Sequence, residues 1–329
     1  MQRTILPWAR ALVAGVLGLL GLTALAPAAW ADYPDRPIRL VVPAGAGGIT
    51  DLVARILGEK LGGILKQPIV IDNKTGASGI IGSQAVATAK PDGYTLLMAF
   101  PTHVANPSTI KAIPYDTVKD FAPVAKVGQV LEVLLVSKDG GIDSMKTLLE
   151  KARQGKETLN YGSVGTGSRG DICTLVFQNQ AGIKMQPVTY KSEPEMLTAL
   201  IRNDIQVAFT SPPAALPMVK GDKLRALAIS SGKRSPILPQ LPTVAETGLA
   251  GYDVTGWNAL FAPAGTPPEV IAKLNKAVNQ VLAEPAVVDQ LLSLGVPPLG
   301  GTPEELQRSV VQDVDMIGKT LAAIGFKPQ

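Results

Sequence analysis

The sequence contains very few of the residues from which metal and catalytic sites are usually built. Among its 329 residues there is one cysteine, Cys173, and one histidine, His103. A single cysteine cannot form an intramolecular disulfide, and a single histidine excludes multi-histidine metal sites and leaves few routes to a catalytic triad. The chain also lacks a G-x-S-x-G elbow and a G-x-x-x-x-G-K-[ST] phosphate loop. We therefore expect no enzymatic activity, no metal site and no cofactor, and we expect Cys173 to be a buried small hydrophobe.

The sequence also lacks a strong excess of positive or negative charge. The 31 basic and 27 acidic side chains give a net charge of +4, and the basic residues are scattered along the chain. No stripe of lysine and arginine alternates with aromatic residues, which make up only 5% of the sequence. A nucleic-acid partner is therefore not expected. After residue 31 there is also no apolar run long enough to span a bilayer.

The first 31 residues have the features of a secretory signal peptide. Arg3 and Arg10 form a basic start, residues 11–26 form an apolar run, and residues 29–31 (Ala-Trp-Ala) match a cleavage signal. We expect export to the periplasm with cleavage before Asp32, and no lipid anchor because no cysteine lies near the cut. The alternative is an uncleaved membrane anchor, but the apolar run is shorter than the ~20 residues of a spanning helix.

Strand-like and helix-like segments alternate through the rest of the chain. The first series runs from a strand at residues 38–42 to one at 94–98, and a second series of similar size follows. This order predicts an α/β fold with parallel-rich sheets covered by helices. No sequence repeat aligns the two series. We expect two lobes, the first formed by residues 32–125 and 252–329 and the second by residues 126–251.

The end of the chain is predicted to be helical and to pack back on the first lobe. Thr266 with Glu269 and Thr302 with Glu305 have the spacing of capping boxes, and each pair stands before an amphipathic run. The chain would then cross between the lobes twice, near residues 122–128 and 246–256. A hinge with two crossings permits closure around a ligand.

Three glycine-rich turns stand where a strand should give way to a helix. They read PAGAGGITD at residues 43–51, NKTGASGIIG at 73–82 and YGSVGTGSRG at 161–170. A helix N-terminus presents unpaired backbone N–H groups and partial positive charge, and glycine allows a ligand to approach the backbone closely. Three such turns around one cleft predict a site for a small anion that needs no catalytic side chain.

Other interpretations of these turns remain open. The glycines could be turn residues only, Thr50 could be only an N-cap, and Asp51 could serve only the backbone of its loop. Residues 165–170 also match the G-x-G-x-x-G pattern of dinucleotide sites, with Glu193 downstream at about the distance of a ribose contact. We favour a smaller anion there, because an exported protein meets little nicotinamide cofactor.

With these turns, the chain resembles the substrate-binding proteins of tripartite tricarboxylate transporters, also called Bug-type extracytoplasmic solute receptors. Similar segments include YPDRPIRLVVPAGAGGITDLVAR, DNKTGASGIIG, AKPDGYTLLM, LNYGSVGTGSRG and GVPPLGGTPEEL, and they follow one another along the whole mature chain. The resemblance implies a periplasmic binding protein of type II, expected to be a monomer. Its two lobes would close on a small carboxylate that it delivers to membrane permease subunits.

The resemblance also implies ligand contacts from all three turns and from the end of the third strand. Backbone N–H groups and hydroxyls would supply most of them. On lobe one the implied contacts are Gly47, Gly48, Ile49, Thr50, Asp51, Ala77, Ser78, Gly79, Thr102 and His103, and on lobe two they are Ser163, Gly165, Thr166 and Ser168.

The chain departs from the family pattern at four positions. Asp171 stands where a histidine is common, Ser192 and Ser78 stand where glycine is common, and Thr210 stands where a strand usually ends in a carboxylate. We place Asp171 and Thr210 in the site. Asp171 would disfavour a second ligand carboxylate and favour an ammonium or a ring N–H, whereas the missing acid at Thr210 would remove one amine partner. The ligand could then be an amino acid, an aromatic acid or another small polar acid.

Three functional hypotheses follow from the sequence. The first is a periplasmic receptor that delivers a small carboxylate to a tripartite tricarboxylate-type permease. The second is a periplasmic sensing module that presents a small acid to a two-component sensor kinase. The third, an enzyme acting on a small acid, is disfavoured because candidate bases are so few.

Overall fold

The computed structural model describes residues 33–154, 158–165, 167–323 and 325–328. The predicted signal peptide at residues 1–31 and the predicted ligand contact Thr166 lie outside the described residues. Residues 36–329 form one unit by their contacts, and the two sheets found among the described residues lie in it.

Strands and helices alternate along the described chain, as the sequence predicts. The strands are β1 (Ile38–Val42), β2 (Ile69–Asn73), β3 (Thr95–Ala99), β4 (Phe121–Val130), β5 (Val133–Ser137), β6 (Asn160–Ser163), β7 (Gln186–Thr189), β8 (Val207–Thr210), β9 (Leu224–Ile229), β10 (Gly256–Pro263) and β11 (Pro298–Gly300). The α-helices are α1 (Ile49–Leu65), α2 (Ile80–Ala87), α3 (Thr102–Thr109), α4 (Met145–Gln154), α5 (Arg169–Ala181), α6 (Glu193–Ile201), α7 (Pro212–Lys220), α8 (Pro268–Leu282), α9 (Pro285–Ser293) and α10 (Pro303–Ala323).

Two mixed sheets organise the fold, and each contains a central strand between two parallel neighbours. The first has the order β11-β4-β10-β3-β1-β2 and the second β7-β6-β8-β5-β9. In the first sheet β1 lies between β2 and β3 and is parallel to both, and in the second β6 lies between β7 and β8 in the same way. We call the first sheet with its helices lobe one and the second with its helices lobe two. In each lobe a helix follows the central parallel strand directly.

The strand β10 is an addition that the sequence interpretation lacks. It runs antiparallel between β3 and β4, and all eight of its residues are buried. Its segment, GWNALFAP, carries few β-branched residues, so pattern alone gives little sign of a strand. The helices after it pack on lobe one as predicted, since α8 contacts β4 and α1, and α10 contacts α3 and β4.

The chain passes from lobe one to lobe two between β4 and β5. Strand β4 stays in the first sheet as far as Val130, which pairs with Gly256, so the predicted boundary between residues 125 and 126 falls inside this strand. Leu131 and Glu132 form the first crossing. The second crossing is longer and lies between β9 and β10, in residues 230–255.

The two predicted capping boxes have different outcomes. At the start of α10, Thr302 Oγ accepts from the Glu305 N–H at 3.2 Å and Glu305 accepts from the Thr302 N–H at 2.9 Å, so this box is confirmed. At the start of α8 the prediction is wrong. The Thr266 hydroxyl instead donates to the Pro263 carbonyl oxygen at 2.8 Å, because the tight turn after β10 places that acceptor closer.

Gly162 in β6 provides a test of this packing. A Cβ added there would lie 2.5 Å from Met196 of α6, which packs on the central strand of lobe two, and 2.6 Å from Ile205, which lies between α6 and β8. We expect Gly162→Ala to lower the free energy of unfolding by about 1–3 kcal/mol, as overpacked cores do. Urea denaturation followed by circular dichroism measures this change.

Gly63 serves as the matched control. It is exposed near the end of α1, and an added Cβ would meet no atom within 4 Å. Gly63→Ala should therefore leave the protein as stable as before or raise the free energy of unfolding by up to about 1 kcal/mol. A Gly162→Ala variant as stable as Gly63→Ala would contradict the packing of α6 on β6.

Candidate functional site

The loops that begin α1 and α5 have the same hydrogen-bond pattern. In lobe one, Asp51 Oδ2 accepts from the Gly47 N–H at 2.8 Å and the Gly48 N–H donates to the Gly45 carbonyl at 3.2 Å. In lobe two, Asp171 accepts from the Gly167 N–H at 2.8 Å, and the Ser168 N–H donates to the Gly165 carbonyl at 3.0 Å. Each loop therefore closes on an aspartate in the first turn of the helix it precedes.

The sequence contains a short signal for this pair of loops, although no longer repeat aligns the two lobes. Residues 45–51 and 165–171 share the pattern G-x-G-x-x-x-D. The second glycine of each has a left-handed backbone, with φ of 81° at Gly47 and 76° at Gly167, which glycine adopts at little cost. The flanking strands and helices differ in length and composition, so the match is confined to these seven positions.

Asp51 is the centre of a buried network in lobe one. It accepts from Arg55 Nε at 2.9 Å and from Asn73 Nδ2 at 2.9 Å, in addition to Gly47. Burial raises the pKa of Asp51, but the hydrogen bonds from Arg55, Gly47 and Asn73 outweigh it and hold the pKa below its ordinary value of 3.8. Asn73 also donates to the Ala44 carbonyl at 3.1 Å, which ties the end of β2 to the first loop.

The second turn of lobe one is held to α3, the helix that follows β3. The Ser78 carbonyl accepts from the Thr102 hydroxyl at 3.0 Å and from Asn106 Nδ2 at 3.1 Å. Ala77 and Ser78 both have positive φ, of 46° and 54°, a conformation that costs free energy for residues with a Cβ. The predicted contacts Ala77, Ser78 and Thr102 thus lie together, and Gly79 is buried beneath them.

Thr50 contacts β10, the strand that lies between β3 and β4 of lobe one. Its hydroxyl oxygen accepts from Asn258 Nδ2 of β10 at 3.2 Å, and no side-chain cap bond is formed at the start of α1. Gly47, Gly48 and Ile49 at this helix start are exposed. The structure therefore leaves the first N–H groups of α1 open to solvent.

In lobe two, two serines flank the start of α5. Ser163 Oγ accepts from the Gly165 N–H at 3.1 Å, and it lies 3.5 Å from Ser168 Oγ. Ser168 is the N-cap of α5 but its side chain makes no capping bond, so its hydroxyl is not used by the helix. Both serines line a cavity of about 420 Å³, whose wall also contains Gly170 and Glu193.

An acidic side chain lies beside the predicted site residue Thr210 at the end of β8. Its hydroxyl donates to Glu193 Oε1, which also accepts from the Ser211 N–H at 2.9 Å, and the Ser211 hydroxyl donates to Glu193 Oε2 at 3.2 Å. A carboxylate is thus present there after all, supplied by the first residue of α6. Glu193 precedes Thr210 by 17 residues, so tertiary packing brings this acid to the strand end.

Asp171 has both carboxylate oxygens engaged within lobe two. Oδ2 accepts from the Gly167 N–H, and Oδ1 accepts from the Tyr161 hydroxyl at 3.0 Å. Burial raises the pKa of Asp171 above its ordinary value of 3.8, although the bonds from Gly167, Tyr161 and Ser163 lower it in part. The side chain is only 3% exposed. Its place in the structure is that of a residue that positions the loop.

His103 is turned into the core of lobe one. Its ring is 2% exposed and lies 4.8 Å from Phe121 and 5.5 Å from Phe261, centroid to centroid. Burial lowers the pKa of His103 to about 4, so the imidazole is neutral at physiological pH. This geometry does not agree with the ligand contact predicted for His103, because the first turn of α3 directs its side chain away from solvent.

Known proteins resemble this chain over most of its length. Residues 53–326 match the sequence profile of the tripartite tricarboxylate transporter family receptor. The protein BugT of Bordetella pertussis is 32% identical over 292 residues, which cover 88% of this chain and 90% of BugT. A Rhodopseudomonas palustris protein solved with adipate is 34% identical, with a TM-score of 0.74 over 91% of this chain and 100% of its own. A second protein of that organism, MatC with bound malate, is 30% identical, with a TM-score of 0.70 over 88% and 100%.

This chain belongs to the tripartite tricarboxylate transporter receptor family. The predicted family and the predicted α/β fold of periplasmic binding proteins are both confirmed by these similarities. The chain is therefore a periplasmic solute-binding receptor and not an enzyme.

The receptor contains a buried pair of ionisable side chains, Arg169 and Glu132, that the sequence interpretation missed. Arg169, the first residue of α5, donates from Nη2 to the Val130 carbonyl at 2.8 Å and to the Val254 carbonyl at 3.0 Å. Its Nε lies 3.6 Å from Glu132 Oε1. Arg169 thus connects the start of α5 to both segments that cross between the lobes. No local motif marks this pair, because its members are 37 residues apart and meet only at the hinge.

Two further kinds of feature are absent from the part of the receptor that the structure describes. No group of three or more histidine, cysteine, aspartate or glutamate side chains there has the arrangement of a metal site. Among the same residues, no helix combines the length and apolar character that crossing a bilayer requires.

Asp51 and Asp171 should affect the stability of the receptor with opposite dependence on pH. The pKa of Asp51 is lowered in the folded state, so its stabilising effect exists above the unfolded pKa and disappears as the pH falls through the folded value. The pKa of Asp171 is raised, so its ionised form costs stability at neutral pH, and that cost disappears as the pH falls.

Urea unfolding between pH 7 and pH 3 of wild type, Asp51→Asn and Asp171→Asn measures both effects. We expect the stability that wild type holds over Asp51→Asn to shrink with acidification. We expect the stability of wild type relative to Asp171→Asn to rise instead. Curves that change in parallel would contradict the different environments of the two carboxylates.

Proposed function

We propose that this receptor binds a small carboxylate between its two lobes and delivers it to the membrane subunits of a tripartite tricarboxylate-type permease. The observation that carries the proposal is the pair of matching helix starts at α1 and α5. Each leaves N–H groups and a partial positive charge at its first turn, and each loop is fixed by its own aspartate. Two such ends on separate lobes suit an anion held during closure.

The neighbouring structures support a carboxylate as the ligand. Adipate and malate are both small dicarboxylates, and the two proteins solved with them share the fold of this chain. In this receptor the donors for a carboxylate are backbone N–H groups and hydroxyls and not a cluster of arginines. We place the ligand contacts at residues 47–51, 77–79 and 102 on lobe one, and at Ser163, Gly165, Thr166 and Ser168 on lobe two. We place Asp171, Thr210 and His103 outside direct contact with the ligand, as residues that support these contacts.

Export is part of the proposed function. Residues 1–31 act as a signal peptide that is cleaved before Asp32, which leaves the receptor free in the periplasm without a lipid anchor. The support for this step is the basic start, the apolar run and the Ala-Trp-Ala cleavage signal of the sequence.

Ser168 separates loss of ligand from loss of fold. Its side chain lines the cavity but caps nothing, so changes there leave α5 intact. We expect Ser168→Phe to fill the cavity and weaken binding by at least ~100-fold, about 2.7 kcal/mol, and Ser168→Ala to weaken it by less than ~10-fold. Isothermal calorimetry with the dicarboxylate that most raises the melting temperature of wild type measures both affinities. Equal affinities for wild type and Ser168→Phe would exclude this cavity as the binding site.

Delivery is tested in the native host. Deletion of the gene should abolish high-affinity uptake of the radiolabelled ligand, and a plasmid copy should restore it. Ser168→Phe should not restore uptake, although it reaches the periplasm. The mass of the periplasmic protein provides the control, since it should begin at Asp32. Undiminished uptake in the deletion strain would contradict a role in transport.

A further inference from the structure

The cavity at the start of α5 contains acids as well as donors. Glu132 and Glu193 both line it, together with Arg169 and Lys191. Glu132 belongs to the first crossing between the lobes and is only 6% exposed. A buried carboxylate is unexpected in a cavity for a simple dicarboxylate, because like charges repel strongly where water is scarce.

Glu132 lacks the partners that usually accompany a buried carboxylate. Its one ion-pair contact is Arg169 Nε at 3.6 Å, which is too long for a hydrogen bond. Nη2 of Arg169 is directed instead at the carbonyl groups of Val130 and Val254. Among the described residues, no side chain or backbone group donates a hydrogen bond to the Glu132 carboxylate. Its oxygens therefore remain available to a donor in the cavity.

Glu193 is placed firmly on the same wall. Three donors from Thr210 and Ser211 hold its two oxygens, so the carboxylate cannot turn away from the cavity. Its charge also raises the pKa of Glu132, which shows that the two acids act on each other. The cavity thus has an acidic wall next to the positive end of α5.

A ligand that fits both the acidic wall and the positive end of α5 has charges of both signs. We propose that the ligand of this receptor carries a protonated amine as well as a carboxylate, and that Glu132 selects it by accepting from the ammonium group. The carboxylate end would lie at the start of α5, by Ser163 and Ser168. The inference rests on the proposed function, and it names the class of ligand within the carboxylates.

The protonation state of Glu132 makes this selection depend on pH. Burial raises the pKa of Glu132 to about 8, Arg169 lowers it and Glu193 raises it. In the same region burial raises the pKa of Cys173 to about 12 and that of Tyr252 well above 10.0, so both stay neutral at physiological pH, while Lys191 adds positive charge to the wall. At neutral pH the free receptor therefore holds a proton on Glu132.

The sign of the pH dependence follows from this proton. An ammonium group stabilises the carboxylate form, so an aminated ligand displaces the proton and binds more tightly as the pH rises from 6 towards 8. A dicarboxylate without the amine prefers protonated Glu132, so its binding weakens over the same range. Free amino acids keep their ammonium group throughout that range.

The experiment compares ligands that differ only in the amine. Calorimetry at pH 6.0, 7.0 and 8.0 uses the pairs aspartate and succinate, glutamate and glutarate, and 2-aminoadipate and adipate. We expect at least one aminated probe to bind at least tenfold more tightly than its partner at pH 8.0. Repeating the titration at pH 7.0 in buffers of different ionisation enthalpy should show release of a proton.

Two variants assign the preference to Glu132. Glu132→Gln keeps the size of the side chain but loses its charge, so it should lower the affinity for the aminated probe at least tenfold and abolish proton release. Glu150→Gln, an exposed acid on α4 of the same lobe, should change neither quantity. Melting temperatures confirm that both variants fold.

Each remaining outcome overturns the inference. If succinate, glutarate or adipate binds and the matching amine does not improve binding, the selection is wrong although the proposed receptor function stands. If Glu132→Gln lowers the melting temperature and weakens both members of a pair equally, the Glu132–Arg169 pair is structural only. If no member of any pair binds, both this inference and the proposed carboxylate site are wrong.

Discussion

One interaction fixes the geometry on which the proposed site depends, namely the hydrogen bond from a glycine N–H to an aspartate four residues later. It occurs twice, from Gly47 to Asp51 and from Gly167 to Asp171, each time at 2.8 Å. The bond closes each loop, which leads from the central parallel strand of its sheet, onto the first turn of α1 or α5. Without this closed loop neither helix start would present its donors to a ligand.

The two loops follow strands of different sheets, and the start of α5 contacts the hinge between the lobes. Arg169 begins α5 and also donates to two carbonyl groups, that of Val130 at the end of β4, just before the first crossing, and that of Val254 in the second crossing. A change at the start of α5 therefore acts directly on both crossings. Glu132, next to Arg169, lies both in the hinge and in the wall of the cavity. The proposed ligand contact and the hinge therefore share one pair of side chains.

The sequence predicts the regular parts of this molecule well, because strand and helix periodicity and glycine turns are local signals. Family, fold class and the capping box at Thr302 were all predictable. The buried strand β10 was not, because its place between β3 and β4 depends on a partner that lies more than a hundred residues earlier. The inward turn of His103 and the Glu193 carboxylate at Thr210 were missed for the same reason, since tertiary packing decides both.

The measurement that tests the central claim most directly is a titration of ¹⁵N-labelled receptor with its ligand, followed through the backbone amide signals. A ligand held between two helix starts should shift the amides of residues 47–51 and 167–171 together, with one dissociation constant for both sets. The account predicts this joint response and little change in amides of β7 or α9, which lie outside the proposed contacts. A response confined to one loop, or two different dissociation constants, would contradict a single site shared by the two lobes.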